Sequence, residues 1–228
     1  MHVVTFVSQK GGSGKSTLCC ALAVAAQLDG RRVAMVDLDP QGSTAAWVEA
    51  REKLRSWMPD ETRPTDIPLR KVGAARIGAW LEEAKARNIA GDLLVLIDTA
   101  GNTSDDVTAA LKGSDVVLVP VQPSPQDMRA LAPTLRQVRE HAAGRFAFVL
   151  SRASHLQNRE NAEIIAGLER HGPVAGVVMD RVEFKRSIGQ GYGPHESATA
   201  SKAAGEVDTL WDHIKQKIEG ARGVAIEA

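Results

Sequence analysis

The chain has 228 residues, with 28 Lys and Arg against 28 Asp and Glu, so it carries no formal net charge. Its length suits a single α/β domain over residues 1–228 with a core that needs no staples, and its charge balance excludes nucleic-acid binding through bulk positive charge, leaving only a local patch. No apolar run reaches the ~20 residues of a membrane span, and the opening MHVVTFVSQK reads as a strand rather than an export signal, so a cytoplasmic protein without a membrane partner is expected.

In chain order, apolar runs predict strands at His2–Val7, Val33–Val36, Leu93–Ile97, Val116–Val121, Phe146–Leu150 and Val174–Met179. Helical spacing falls between them at Thr17–Leu28, Ser43–Leu54, Ile77–Arg87, Met128–His141, Asn161–Arg170 and Val207–Ile218. The alternation predicts a mostly parallel, twisted α/β sheet covered by helices on both faces. Cys19 and Cys20 are neighbours on the first helix and read as small buried apolar residues of a reducing compartment. Arg55–Pro68, with three prolines, reads as a surface excursion, and Gly189–Pro194 as a flexible loop. Ser124 and Pro125 read as the cap and first turn of a helix.

The stretch SQKGGSGKST, residues 8–17, follows the first strand and opens the first helix. Gly11, Gly12 and Gly14 let backbone N–H groups converge on an anion, and the helix N-terminus adds partial positive charge. Lys15 reaches for the β/γ-phosphates, and the Ser16 hydroxyl is a ligand for Mg²⁺. Ser13 and Thr17 complete the loop. Two strand ends add carboxylates. Asp37 and Asp39 close the second strand in VDLDPQG, and Asp98 closes the third in LLVLIDTAG. Strand ends are where open parallel sheets bind ligands.

Lys10 sets the loop apart, because the usual phosphate loop has glycine at position 9 and a single lysine. Lys-Gly-Gly-x-Gly-Lys-Ser, followed by Asp-x-Asp-Pro-Gln-Gly and the apolar strand ending in Asp98, resembles the deviant Walker A ATPases, the P-loop family that includes ParA partition proteins and MinD. The resemblance spans essentially the whole chain, with the specific motifs in its N-terminal part. It implies an ATPase of weak intrinsic activity with ATP and Mg²⁺ as cofactors. By that match Lys10, Lys15 and Asp39 are the catalytic set: Lys10 reaches the phosphates bound by a second copy in an ATP sandwich dimer, and Asp39 orients the attacking water. The metal side is Ser16, Asp98 and Asp39, with Asp37 in support. VVLVPVQPSPQD lines the dimer side, and Arg152 in FVLSRAS is a candidate for the adenine.

Among these ATPases the chain looks like the small ParA type, since the phosphate loop begins at Ser8 and leaves no room ahead of it for a helix-turn-helix domain. The resemblance implies non-specific duplex DNA as one partner, a centromere-binding or cargo adaptor protein as another, and nucleoid association when ATP is bound. Phosphate contacts are placed on Arg181, Lys185, Arg186, Lys202 and Lys215, with Lys217 and Arg222 nearby. The alternatives are an ATPase that positions a protein complex, MinD-like or as a conjugation or transfer factor, and one that acts on a small substrate without DNA. The tail GARGVAIEA is not the basic amphipathic helix that a MinD role wants, and Cys19–Cys20 are not placed to share a metal cluster.

Overall fold

The computed structural model describes residues 1–87, 92–197 and 201–226, with side chains described as far as residue 220. Six strands alternate with helices: β1 His2–Phe6, α1 Lys15–Leu28, β2 Arg32–Asp37, α2 Ser43–Trp57, α3 Ile77–Arg87, β3 Leu93–Asp98, α4 Asp105–Gly113, β4 Val116–Val121, α5 Pro125–His141, β5 Phe146–Ala153, α6 Asn158–Glu169, β6 Val174–Met179, α7 Val182–Gly189, α8 Pro194–Ser197 and α9 Lys202–Ile226. The strands form one sheet in the order β2-β3-β1-β4-β5-β6, and every pairing is parallel.

Strand alternation divides the core between two faces. Val4, Phe6, Leu94, Leu96 and Leu118 face α1 and α9, while Val3, Val95, Ile97, Val117 and Val119 face the opposite helices. Helix α1 is Ala-rich because it is enclosed: Leu18 through Ala26 are all buried between sheet, α2 and α9. Cys19 and Cys20 lie within it, and burial pushes both thiols well above their usual range. In α9, Val207, Leu210, Trp211, Ile214 and Ile218 form one buried stripe, so this helix belongs to the core. Among the described residues no helix is long and apolar enough to cross a membrane.

Three helices go beyond the sequence reading. Helix α4 begins with Asp105 and Asp106 and buries only Val107, Ala110 and Leu111, too narrow a stripe to stand out. Helices α7 and α8 are short and begin among charged and turn residues. The excursion after α2 is also less loose than its prolines imply. Ile67 is 1% exposed, and Leu69 bridges to Met35 of β2. Gly189–Pro194 is packed rather than flexible, because Trp47 Nε1 donates to the Tyr192 carbonyl and Arg51 to that of Gly191. A Cβ at Gly193 would lie 2.7 Å from Val24.

Candidate functional site

From β1 the chain runs to β2 at one side of the sheet, while from β3 it crosses back to β4 on the other. The carboxyl ends of β1 and β3 therefore flank the switch point where such sheets bind ligands. Residues 7–14 leave β1 here, and Gly11–Gly14 line a cleft of about 830 Å³. Gly12 and Gly14 adopt φ values of 76° and 100°, which other residues reach only with strain. A Cβ on Gly14 would also lie 2.6 Å from the Ser151 hydroxyl.

Gly11 through Thr17 all line the cleft. Lys15 is 7% exposed, and its Nζ donates to the Ser8 carbonyl over 3.3 Å, curling the side chain back over the loop. Ser13 Oγ is buried without a hydrogen-bond partner. Such an atom in a cradle of converging N–H groups suits an anion's oxygen.

Asp98 is fully buried at the floor. Its Oδ2 accepts from Thr44 Oγ1 at 2.8 Å, while Oδ1 is buried without a partner. Burial pushes its carboxyl up to about 6, against the Ser16 and Thr44 hydroxyls and the Lys15 ammonium, which favour the charged form; Asp37 adds to the rise. Ser16 assists here by proximity, without completing a hydrogen bond to Oδ1. An unsatisfied buried carboxylate oxygen beside a hydroxyl and a phosphate cradle fits a hard divalent cation such as Mg²⁺.

Asp37 and Asp39 have different roles. Asp37 accepts from the backbone N–H groups of Asp39 at 3.0 Å and Ala45 at 2.9 Å, so it shapes the loop between β2 and α2. Burial raises its carboxyl above the usual range, although these two N–H groups oppose the rise. Asp39 lines the cleft, with Oδ1 accepting from Gln41 N at 2.9 Å. Asp39 also lines a smaller cavity of about 380 Å³, together with Arg70 and Lys71.

Lys10 stands apart. It does not line the cleft that Lys15 lines. Its Nζ lies 2.6 Å from Asp127 Oδ2, on the first turn of α5. At the far end of the cleft, Arg152 is the only non-glycine among the described residues with a left-handed φ, 57°. Its Nε lies 3.6 Å from Asp180 Oδ1, and both residues line the cleft together with Phe184 and Ile188.

The basic residues assigned to DNA differ in freedom. Arg181 is 13% exposed and donates from Nε and Nη2 to Glu206 at 2.8 and 2.6 Å, and Lys185 pairs with Asp180 at 3.3 Å; both line the same cleft. Lys215 pairs with Asp29 and Asp212 above the Trp211 ring. Arg186 and Lys202 are exposed. Arg222 lies outside the residues whose side chains are described.

Four contributors were not singled out in the sequence, although Asp127 ends the stretch assigned to the dimer side and Ser151 lies in FVLSRAS: Thr44, Asp127, Ser151 and Asp180. Thr44 had a local signal, a hydroxyl two residues after the Asp-Pro-Gln-Gly loop, where the first turn of α2 faces Asp98. The other three reach the site only through tertiary packing.

A glycine loop between strand and helix at a switch point, beside a buried acid on the neighbouring strand, defines the nucleotide site of a parallel P-loop protein. Residues 4–194 match the CobQ/CobB/MinD/ParA nucleotide binding domain, and the chain belongs to that family of ATPases. It is 32% identical to the protein virC1 of Rhizobium radiobacter over 142 residues, 61% of this chain and 57% of that protein, so it spans little more than half of that relative's length. It is 27% identical to the probable plasmid-partitioning protein ParA of Thermus thermophilus, over 95% of this chain and 79% of that protein. A putative plasmid partition protein of Borrelia burgdorferi, solved with AMPPNP, shares the fold with a TM-score of 0.71 at 19% identity, covering 95% of this chain and 99% of that one. MinD of Aquifex aeolicus gives 0.73 at 16% identity, covering 94% and 96%.

Proposed function

We propose that this chain is a partition-type ATPase that binds ATP with Mg²⁺, pairs with a second copy through the bound nucleotide, and uses the paired state to hold duplex DNA. The observation that carries the reading is the division between the two lysines: Lys15 lines the nucleotide cleft, and Lys10 stands outside it on the rim. A cation held outside its own site is suited to a phosphate presented by another chain. Such a contact makes pairing sensitive to the terminal phosphate and stabilises charge in phosphoryl transfer.

In this reading the N–H groups of Gly11–Thr17 and the Lys15 ammonium hold the phosphates. Ser16 and Asp98 would hold Mg²⁺, which supplies charge neutralisation between the phosphates, with Asp39 on the same side. Asp39 orients the attacking water, and Asp37 keeps its loop in shape. Arg152 and Asp180 meet the base. Turnover is slow until an adaptor protein stimulates it. The relatives named for plasmid partition support DNA as the cargo.

DNA contact is assigned to the surface of α7 and α9. Arg186 and Lys202 supply the freest charges, and Arg181, Lys185 and Lys215 stand behind them with carboxylates already beside them. The paired state localises to the nucleoid, and the unpaired state to the cytoplasm.

The test is binding to random-sequence duplex DNA with a non-hydrolysable ATP analogue, with ADP and without nucleotide, each at two salt concentrations. The expected result is binding only with the ATP analogue, weakened by salt through counterion release. Equal binding, or none, in all three nucleotide states would overturn the DNA assignment. Turnover stimulated by a small molecule instead would favour a metabolic substrate.

A further inference from the structure

Lys10 is neither free in solvent nor turned toward its own cleft. Its Nζ lies 2.6 Å from Asp127 Oδ2, with Lys10 35% and Asp127 4% exposed. The same carboxylate oxygen accepts from the Ser124 hydroxyl, and the Asp127 N–H donates to Ser124 Oγ at 3.1 Å. Asp127 is the third residue of α5, where the helix terminus favours negative charge. Two further contacts moor the same stretch: Gln122 donates to the Gly12 carbonyl, and Gln9 N–H donates to Thr134 Oγ1 at 3.2 Å.

We propose that Asp127 is a positioning residue for Lys10: it holds the ammonium clear of the chain's own phosphates and competes for it with the terminal phosphate of a partner chain. This rests on the reading that Lys10 crosses to a second copy. The competition is reversible because Asp127 is not stranded when Lys10 leaves. The Ser124 hydroxyl and the N-terminal turn of α5 still serve its charge, so breaking the pair avoids the penalty of an uncompensated buried ion. A terminal phosphate offers more charge and more acceptor oxygens than one carboxylate, so it draws Lys10 away. A diphosphate lacks that group, and Lys10 stays with Asp127. The pair thereby sharpens the distinction between ATP and ADP and sets the protein concentration at which pairing begins.

Asp127→Asn removes the charge and keeps an oxygen for Ser124. Sedimentation or light scattering with Mg²⁺ and a non-hydrolysable ATP analogue gives the midpoint of pairing. The expected result is a midpoint lowered about a hundredfold, because pairing releases two such contacts and each charge-assisted hydrogen bond is worth about tenfold. The gain should vanish in the Lys10→Ala background. Ser124→Ala, which keeps the ion pair but removes the hydroxyl that serves Asp127 once Lys10 leaves, should lower the melting temperature and raise the midpoint. An unchanged or raised midpoint for Asp127→Asn, or the same gain without Lys10, overturns the proposal. Wild-type protein that stays monomeric with the analogue overturns the dimer reading itself, a separate outcome. If Asp127→Asn does not fold, peptide-resolved acylation of the wild-type monomer decides: slow reaction at Lys10 supports the pair, and reaction as fast as at exposed Lys202 overturns it.

Discussion

Thr44 Oγ1 donates to Asp98 Oδ2 at 2.8 Å, joining the first turn of α2 to the end of β3 beneath the phosphate loop. The bond fixes one carboxylate oxygen and leaves the other facing the site. Thr44→Val keeps the shape and removes the donor. It should cost about 1–3 kcal/mol of stability by leaving a buried acceptor unserved. Mg²⁺-dependent nucleotide affinity should fall with it. Denaturant unfolding and nucleotide titration of the variant check both; an unaltered affinity would mean that the Asp98 orientation does not depend on Thr44.

Asp98 also sets a pH dependence. Burial raises its carboxyl from 3.8 to about 6 in the folded chain. The folded state therefore binds the proton more tightly than the unfolded state between these values. Its contribution to stability is greatest below pH 4 and declines as pH rises through 6, by roughly 3 kcal/mol in total. Asp98→Asn should remove this decline, so the variant gains on wild type as pH rises from 4 to 7. Unfolding curves in EDTA without nucleotide, taken across that range, give the comparison. Parallel curves for the two proteins would count against the shift.

Gly14 is constrained twice, by φ of 100° and by Ser151 Oγ 2.6 Å from where its Cβ would stand. Gly14→Ala should abolish detectable nucleotide binding and cost about 1–3 kcal/mol in backbone strain alone. Adding Ser151→Ala should recover the steric part of the loss and not the strain. Melting temperatures of the single and double variants separate the two contributions.

Arg51 is 1% exposed and holds Glu196 through two hydrogen bonds of 2.6 and 2.8 Å, while also donating to the carbonyls of Thr65 and Gly191. Arg51→Ala leaves Glu196 with the Gly193 N–H but without its charge partner, and should cost about 3–5 kcal/mol. Arg51→Met with Glu196→Gln should cost less than the single change. A double-variant cycle by chemical unfolding measures the difference, and simple additivity would argue against the pair as a unit.

Arg152 offers the opposite sign. Its left-handed φ of 57° is strained for a side chain with a Cβ. Arg152→Gly should raise stability by about 1 kcal/mol. If the guanidinium meets the base, nucleotide affinity should drop in the same variant. Tighter binding would remove Arg152 from the base site.

The phosphate loop was legible because its chemistry is local: Gly12, Gly14, Lys15 and Ser16 are adjacent in sequence and act through backbone and helix terminus. Asp98 was legible because an apolar strand must end where its acid does. The partners of these residues were not legible. Asp127 lies 117 positions from Lys10, and no spacing rule connects them. Ser151 meets Gly14 only because β5 lies two strands from β1. The prolines of 55–68 predicted a loop correctly in kind, but prolines say nothing about whether a loop packs, and Ile67 decides that.

That loop has a consequence for self-association. Met35 N–H donates to the Pro68 carbonyl at 2.9 Å, and Arg70 N–H donates to the Met35 carbonyl at 2.7 Å, so the middle of β2 already has its hydrogen bonds on the outer side. The sheet is closed at that edge by its own chain, next to a proline that has no N–H to offer a newcomer. A strand from another molecule would have to strip this bridge away before it could add there. Filaments grown by extending the sheet across β2 are therefore blocked, and at this edge ordered assembly is left to the helical and loop surfaces.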